Sequence, residues 1–146
     1  MIYLGADHRG YKLKEEIKKF LTKTGYDFKD LGVNSNEPAD YPLIAEKVGR
    51  SVAENKNNRG ILICGSGGGV CIAANKIRGI RAAEARDEDK AKADRNDDDV
   101  NILCLSGDWL DLDAAKPIIE VFLNTRFDSA ERRVRRLRQI AALEEN

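Results

Sequence analysis

The chain has 146 residues, a mass of 16.3 kDa, and 25 basic side chains against 25 acidic ones. This length predicts one domain over residues 1–146 that needs no structural metal, and the balanced charge argues against a nucleic-acid binder. No apolar run reaches the roughly 20 residues that span a membrane, and the first residues do not read as a signal peptide. Because the three cysteines are an odd number, we expect free thiols in a cytoplasmic protein.

Short apolar segments alternate with amphipathic ones along the chain. A strand is predicted at 2–5, a helix around 13–21, a second strand at 26–31, a loop over 32–42 and a helix around 44–52. A buried strand at 59–64 precedes a glycine loop and a helix over 70–77. Strands at 80–85 and 101–105 flank a charged helical segment, and helices at 111–124 and 129–144 follow, the last with Ser129 as its N-cap.

This alternation predicts βαβ units and hence an α/β fold. We expect a doubly wound, five-stranded parallel sheet in a three-layer α/β/α sandwich, which is a Rossmann-like architecture. Binding sites in such sheets lie beyond the carboxyl ends of the strands. The residues that follow each strand are therefore the candidates for function.

Polar residues come directly after the first predicted strand. Asp7 and His8 stand between this strand and a helix, and His8 is the only histidine in the chain. Both are candidates for contacts to a polar ligand, because the N-terminus of a helix favours anionic partners. The alternative is that Asp7 caps the helix and His8 is solvated.

A loop with four glycines, residues 65–69, follows the third predicted strand. Its backbone can approach a ligand closely and direct N–H groups at a phosphate or an oxyanion. Cys64 begins the loop, where these groups favour a thiolate that acts as base or nucleophile. The alternative is a small buried apolar side chain, as we expect for Cys71 and Cys104. Val70 replaces the third glycine of a dinucleotide fingerprint, so the loop is only a weak signal for a nicotinamide or flavin, and a module that binds such a cofactor is a further alternative.

The last predicted helix is rich in arginine. Arg132 and Arg136 are four residues apart and share one face, which suits a phosphate group. Val134, Leu137 and either Ile140 or Ala141 can then face the core. The alternative is a solvated basic face that the acidic stretch 87–99 balances.

Several stretches together resemble ribose-5-phosphate isomerase type B, within a group that includes the galactose-6-phosphate isomerase subunits. They read GADHxG at 5–10, DYP at 40–42, GILICGSG at 60–67, IAANK at 72–76 and GIRA at 79–82. The resemblance extends over nearly the whole chain. It implies no metal or organic cofactor, and a homodimer or dimer of dimers whose active sites combine two subunits. The helix at about 129–144 is then expected to pack on or near a partner subunit.

The resemblance also implies a reaction. The family interconverts an aldose phosphate and a ketose phosphate by moving a proton between C1 and C2 through an enediolate. By resemblance, Cys64 is the base, Ser66 assists proton transfer, and the amides of residues 65–69 hold the developing charge. The implied substrate-binding residues are Asp7, His8, Tyr41, Gly65, Gly67, Gly69, Asn75, Asp98, Arg132 and Arg136.

Three positions depart from the family's pattern. Asp97 stands where relatives have a histidine that helps to open the sugar ring, and an aspartate with an ordinary pKa of about 4 is a weak proton donor at neutral pH. Asp108 lies where many relatives carry an arginine for phosphate. Arg133 replaces a histidine that is common in the last helix.

These departures leave several hypotheses beside the main one, an aldose–ketose isomerase of the ribose 5-phosphate type. Neighbouring carboxylates could raise the pKa of Asp97, so that it still serves as the catalytic acid. Ring opening could be left to solution, or the substrate could be a tetrose or hexose phosphate. The chain could also bind sugar phosphates without catalysis, alone or with an active partner chain.

Overall fold

The computed structural model describes residues 1–145 as a parallel sheet between two layers of helices. The strands are β1 (Ile2–Ala6), β2 (Phe28–Asp30), β3 (Arg59–Cys64), β4 (Ala82–Glu84) and β5 (Ile102–Ser106). The helices are α1 (Tyr11–Lys23), α2 (Tyr41–Ala53), α3 (Gly68–Ala74), α4 (Glu88–Asp98), α5 (Leu112–Asn124) and α6 (Glu131–Leu143). Within residues 1–145, no helix is long and apolar enough to cross a membrane.

The five strands are all parallel and lie in the order β2-β1-β3-β5-β4, which confirms the predicted sheet. β3 is central and buried on both faces, which explains its continuous apolar sequence. In the register, Ala6 pairs with Ile63 and Cys64 pairs with Ser106. The ends of β1, β3 and β5 therefore meet at one edge of the sheet.

Two hydrophobic cores, one on each face of the sheet, make the predicted three-layer sandwich. One is formed by α1, α4 and α5, with Ile17, Ile119 and Phe122 almost fully buried. The other is formed by α2 and α3, with Val48 and Val70 fully buried. Both layers hold the same sheet rigid, so the strand ends are fixed relative to each other.

A buried ionic cluster attaches the edge strand β2 to α1. The Lys14 side chain is fully buried, with Nζ 2.5 Å from Asp30 Oδ2 and 3.2 Å from Glu15 Oε1. Lys18 Nζ lies 2.8 Å from the same Asp30 oxygen. Burial by itself raises the pKa of Asp30, but the hydrogen bonds from the two lysines and from the Gly32 N–H outweigh it and lower that pKa below its ordinary value.

Several predicted boundaries differ from the structure. The predicted loop 32–42 ends earlier, because α2 begins at Tyr41 with Asp40 as its N-cap. The helix predicted over 70–77 begins two residues earlier and ends at Ala74, and the strand predicted at 80–85 is paired only over Ala82–Glu84. Each difference reflects hydrogen bonding at the ends of an element, which apolar periodicity does not encode.

The prediction of Ser129 as the N-cap of the last helix is wrong. Ala130 is the N-cap, without a side-chain hydrogen bond, and its N–H instead binds Asp128 Oδ1 at 3.2 Å. The expectation that Val134, Leu137 and Ile140 or Ala141 face the core is also wrong, since α6 contains no buried residue. The two cores are already closed by the other five helices, so α6 lies on the outside against α4.

Candidate active site

The carboxyl ends of β1 and β3 form a crevice. The two strands are neighbours, but the chain leaves β1 toward β2 and leaves β3 toward β5 and β4, so their connections diverge. Such a switch point is the usual binding site of an open α/β sheet. Asp7 and Cys64 stand at this point, as the sequence predicts.

Cys64 lies at the mouth of the glycine loop. Its side chain is buried, with the residue only 5% exposed, and Sγ accepts a hydrogen bond from the Gly67 N–H at 3.2 Å. Gly67 adopts a φ of 82°, and a Cβ there would lie 3.0 Å from Glu84 Cγ and 3.1 Å from the Leu105 carbonyl carbon. The loop thus requires glycine at this position, and it holds the Gly67 N–H directed at the Cys64 sulfur.

Ser66 is exposed at the rim of the crevice. Its Oγ accepts a hydrogen bond from the Gly68 N–H at 3.1 Å, so the hydroxyl proton can point toward a ligand. The Gly67 and Gly68 amides are therefore both engaged within the loop. Any oxyanion would have to use other amides of residues 65–69 or displace these bonds.

The end of β5 fixes the start of the loop. Ser106 is fully buried, and its Oγ donates to the Gly65 carbonyl at 2.6 Å and accepts from the Trp109 N–H at 3.1 Å. The Gly107 N–H also binds the Cys64 carbonyl at 2.8 Å. Sequence reasoning missed Ser106, although a hydroxyl at the end of an otherwise apolar strand was the available signal.

Asp7 and His8 are both held by backbone groups. Asp7 is buried, and its Oδ1 accepts hydrogen bonds from the N–H groups of Arg9 at 2.9 Å and Gly10 at 3.1 Å. His8 Nδ1 accepts the Ala39 N–H at 3.2 Å, which places the proton of a neutral imidazole on Nε2. His8 is therefore half-buried and held through Nδ1, which leaves Nε2 as a potential donor.

Tyr41 covers the far side of the loop. Its ring lies against the backbone of Gly69, where a Cβ would come within 2.7 Å of the Tyr41 Cε1 atom. The residue is 39% exposed, so one side of the ring is left to solvent. A glycine at 69 is thus needed for the ring to lie against the loop.

Arg9 is a site residue that sequence reasoning missed. Its guanidinium lies against the backbone of Gly65 and forms an ion pair with Asp108, whose hydrogen bond raises the pKa of Arg9. A cation directly after Asp7 and His8 was the available signal. Asp108, which the resemblance places where many relatives carry an arginine, is the carboxylate that holds Arg9 at this end of the sheet.

The other two cysteines differ from each other. Cys104 is fully buried, as expected for a small apolar side chain, whereas Cys71 is only half-buried. A hydrogen bond from Cys104 lowers the pKa of Cys71 to about 7. Cys71 is therefore a half-buried thiol that ionises near neutral pH.

Both polar atoms of the Asn75 side chain are hydrogen-bonded to the backbone at the start of β4. Its Nδ2 donates to the Ala82 carbonyl at 2.9 Å, and its Oδ1 accepts the Ala82 N–H at 2.8 Å. The side chain thus closes the turn that leads into β4. The predicted contact of Asn75 with substrate stays a prediction.

The arginines of α6 lie at the opposite edge of the sheet from Cys64. The segment before α6 is joined to the end of α4, where the Asp128 N–H binds the Asn96 carbonyl at 3.0 Å. After the other end of α6, Glu144 accepts the Gly79 N–H at 2.9 Å. Asn96 lies shortly before β5 and Gly79 lies shortly before β4, so both contacts are at the amino-terminal edge of the sheet. Arg132 and Arg136 are exposed there, about 20 Å from the carboxyl edge by the length of a six-residue strand.

Asp97 and Asp98 also lie at this amino-terminal edge, at the end of α4. Asp98 is exposed, whereas Asp97 forms an ion pair with Arg133 of α6. The structure therefore pairs two of the residues that depart from the family's pattern. The Asp97 carboxylate is therefore engaged with another helix of the same chain.

Comparison with known proteins gives a consistent result over the whole chain. The model of a family described as Ribose/Galactose Isomerase matches residues 2–140. The chain is 38% identical over 144 residues to ribose-5-phosphate isomerase B of Escherichia coli, covering 99% of this chain and 96% of the relative. It is 34% identical over 128 residues to D-erythrulose-4-phosphate isomerase of Pectobacterium atrosepticum, covering 87% and 84%.

Solved structures of similar proteins have the same fold. Ribose-5-phosphate isomerase B of Clostridium thermocellum superposes with a TM-score of 0.93 at 42% identity, covering 99% of this chain and 97% of that one. The Mycoplasma genitalium protein of the same name, which was solved with bound ribulose-5-phosphate, gives a TM-score of 0.93 at 37% identity, covering 99% and 96%.

Proposed function

The chain belongs to the ribose/galactose isomerase family of sugar-phosphate isomerases, and we propose that it interconverts ribose 5-phosphate and ribulose 5-phosphate with Cys64 as the base. The observation that carries the proposal is the Gly67 N–H on Cys64 Sγ at 3.2 Å, at the switch point of the sheet. Relatives and structural neighbours with this substrate in their names support the choice of sugar.

The proposed chemistry is a proton transfer. The Cys64 thiolate removes the proton from C2 of the aldose, an enediolate forms, and the proton returns to C1 of the ketose. Amides of residues 65–69 stabilise the oxyanion, and the Ser66 hydroxyl relays protons between the sugar oxygens. Every step uses groups of the protein, so the mechanism needs no metal or organic cofactor.

The substrate is proposed to lie between the crevice and a cluster of cations. Asp7 and the Nε2–H of His8 bind sugar hydroxyls or the phosphate, and Tyr41 covers the pocket. Arg132 and Arg136 of a second copy clamp the phosphate group. Arg9, fixed by Asp108 beside Gly65, adds a positive charge on the Cys64 side.

We also propose that the enzyme is a homodimer, on the basis of where these groups lie. Arg136 and Cys64 are at opposite edges of the sheet in one chain, so two copies must meet to bring them together. Exposed apolar side chains on the α2–α3 face support this contact, with Leu43 60% and Ile72 66% exposed. We expect light scattering to give the mass of a dimer or of a dimer of dimers, and an Ile72→Glu variant to dissociate and lose activity.

A second candidate substrate is a tetrose phosphate. Arg133 occupies the Asp97 carboxylate in an ion pair, so Asp97 is engaged in holding α6 rather than left free to assist ring opening. In a tetrose 4-phosphate the C4 oxygen carries the phosphate, so it cannot close a furanose ring onto C1 and no ring has to be opened. One relative is named for D-erythrulose-4-phosphate. We therefore propose that Asp97 positions α6.

The decisive experiment measures exchange of the C2 proton with solvent for tetrose, pentose and hexose phosphates. We expect exchange with ribose 5-phosphate, its loss in Cys64→Ala, and its retention in Cys71→Ala, which removes the other ionisable thiol. Full activity of Cys64→Ala would exclude Cys64 as the base. Exchange with none of the sugars would favour a binding protein, and exchange with the tetrose alone would favour the second candidate.

The compartment is also a proposal. We infer a cytoplasmic enzyme, because Cys64, Cys71 and Cys104 are all free thiols and the proposed mechanism requires one of them reduced.

A further inference from the structure

A cavity of about 540 Å³ opens at the amino-terminal edge of the sheet. The segment before β3, the end of α4 and the segment after α5 surround it, with Leu123 and Phe127 forming an apolar wall. Its volume is in the range of sites for small metabolites. Within residues 1–145, the cavity shares no lining residue with the proposed active site.

The cavity is strongly cationic. Lys56, Arg59, Arg95 and Arg126 line it, and Asp99 is the one carboxylate among the described lining residues. The net charge of the whole chain is zero, so the positive charge at this cavity is a local concentration of basic side chains. It would attract a ligand with at least two negative charges.

Asp99 does not neutralise this excess. Its Oδ1 lies 2.7 Å from Nη1 of Arg95, and its Oδ2 lies 3.1 Å from Nη2 of Arg81, so two arginines share it. Within residues 1–145, Arg59, Arg126 and Lys56 form no ion pair. Three cations that face the cavity therefore have no anionic partner in the chain.

Two of the arginines are already oriented. Arg95 is only 4% exposed and donates to the carbonyls of Val100 at 2.7 Å and Thr125 at 3.3 Å. Arg59 donates through Nη1 to the carbonyls of Lys56 at 3.0 Å and Asn58 at 2.8 Å. Burial, followed by the charge of Arg95, lowers the pKa of Arg59. A bound anion would relieve this repulsion without moving the side chains.

We propose that this cavity is a second ligand site, separate from the active site, that binds a small phosphorylated metabolite. The guanidinium groups of Arg59 and Arg126, with Lys56, hold the phosphate, because planar guanidinium groups match the geometry of phosphate oxygens. The apolar wall at Phe127 holds the remainder of the ligand. A concave site of this volume fits a small molecule better than a nucleic-acid backbone.

The test uses inorganic pyrophosphate as the probe and calorimetry on the full-length protein. Four proteins are compared: the unaltered chain, Lys56→Gln/Arg126→Gln, Arg132→Gln/Arg136→Gln, and Lys12→Gln/Lys92→Gln. The first double variant changes two exposed cations of the cavity, so folding is preserved. The last is a matched control that removes the same charge from exposed lysines elsewhere.

We expect pyrophosphate to bind the unaltered chain, with a Kd raised about tenfold or more by Lys56→Gln/Arg126→Gln and within about twofold for Lys12→Gln/Lys92→Gln. A site that persists in Arg132→Gln/Arg136→Gln would separate the cavity from the substrate's phosphate clamp. The proposal is overturned if the unaltered chain does not bind at millimolar pyrophosphate. It is equally overturned if Arg132→Gln/Arg136→Gln abolishes all binding while Lys56→Gln/Arg126→Gln leaves it unchanged. Neither result would bear on isomerase activity, which is assayed separately.

Discussion

The ion pair between Asp97 and Arg133 predicts how α6 is held. α6 has no buried residue, so polar contacts near its two ends attach it to the rest of the chain. We expect Asp97→Asn to loosen the first turn of α6 and with it Arg132, for which we propose a role in binding the phosphate. The change is nearly isosteric, so it removes charge rather than volume.

The size of the effect follows from exposure. The Asp97 side chain is 47% exposed and that of Arg133 is 16% exposed, so solvent screens much of their attraction. A pair of this kind contributes about 1 kcal/mol. If that energy serves to position the phosphate clamp, its loss raises KM about fivefold, because 1.4 kcal/mol corresponds to a factor of ten.

The assay is steady-state kinetics with ribose 5-phosphate on Asp97→Asn, Arg133→Gln and the double variant. A positioning role predicts that each single variant raises KM with little change in kcat, and that the double variant is no worse than either one. KM values within twofold of the unaltered enzyme, or strictly additive effects, would refute the reasoning. A large loss of kcat in Asp97→Asn but not in Arg133→Gln would instead identify Asp97 as the acid.

Three further predictions concern stability and reactivity. Asp30→Asn leaves the buried Lys14 ammonium without its main partner and should lower the free energy of unfolding by about 3 kcal/mol at pH 7 in urea denaturation. Because the folded pKa of Asp30 is below its ordinary value, this deficit should shrink as the pH falls below about 4, and a constant deficit would contradict the assignment. Cys71 should react with iodoacetamide with a midpoint at a pH of about 7, measured by peptide mass spectrometry, and a midpoint above pH of about 8.5 would contradict the effect of Cys104. Gly10→Ala should cost about 1–3 kcal/mol of stability, since its Cβ would lie 2.5 Å from the Ile63 carbonyl oxygen, and an unchanged melting temperature would show that the backbone yields there.

The sheet and the Cys64 side of the site could be predicted from the sequence because local patterns encode them. Continuous apolar segments identify strands that are buried on both faces, and glycines at a strand end identify a loop that approaches a ligand. Gly67 illustrates this, because its positive φ and the nearby Leu105 carbonyl leave no room for a side chain.

The rest depends on tertiary contacts that periodicity does not contain. The sequence of α6 is amphipathic, which predicts that Leu137 is buried. The local sequence does not show that the other helices already close both cores, so this prediction is wrong. Arg9 reads as a solvated cation until Asp108, 99 residues away, is brought beside it. Likewise, the replacements at 97 and 133 look independent in sequence and become one ion pair only in the fold.

The position of α6 at the edge of the sheet away from Cys64 has a genetic consequence. Suppose that each active site takes its base from one chain and its phosphate-binding arginines from the other. A Cys64→Ala chain and an Arg132→Gln/Arg136→Gln chain are then each inactive alone, but each lacks a different part of the site. A mixed dimer then carries one site with both defects and one with neither. Coexpression in equal amounts should restore about a quarter of the normal number of intact sites, so two loss-of-function alleles of this gene would complement each other within one protein.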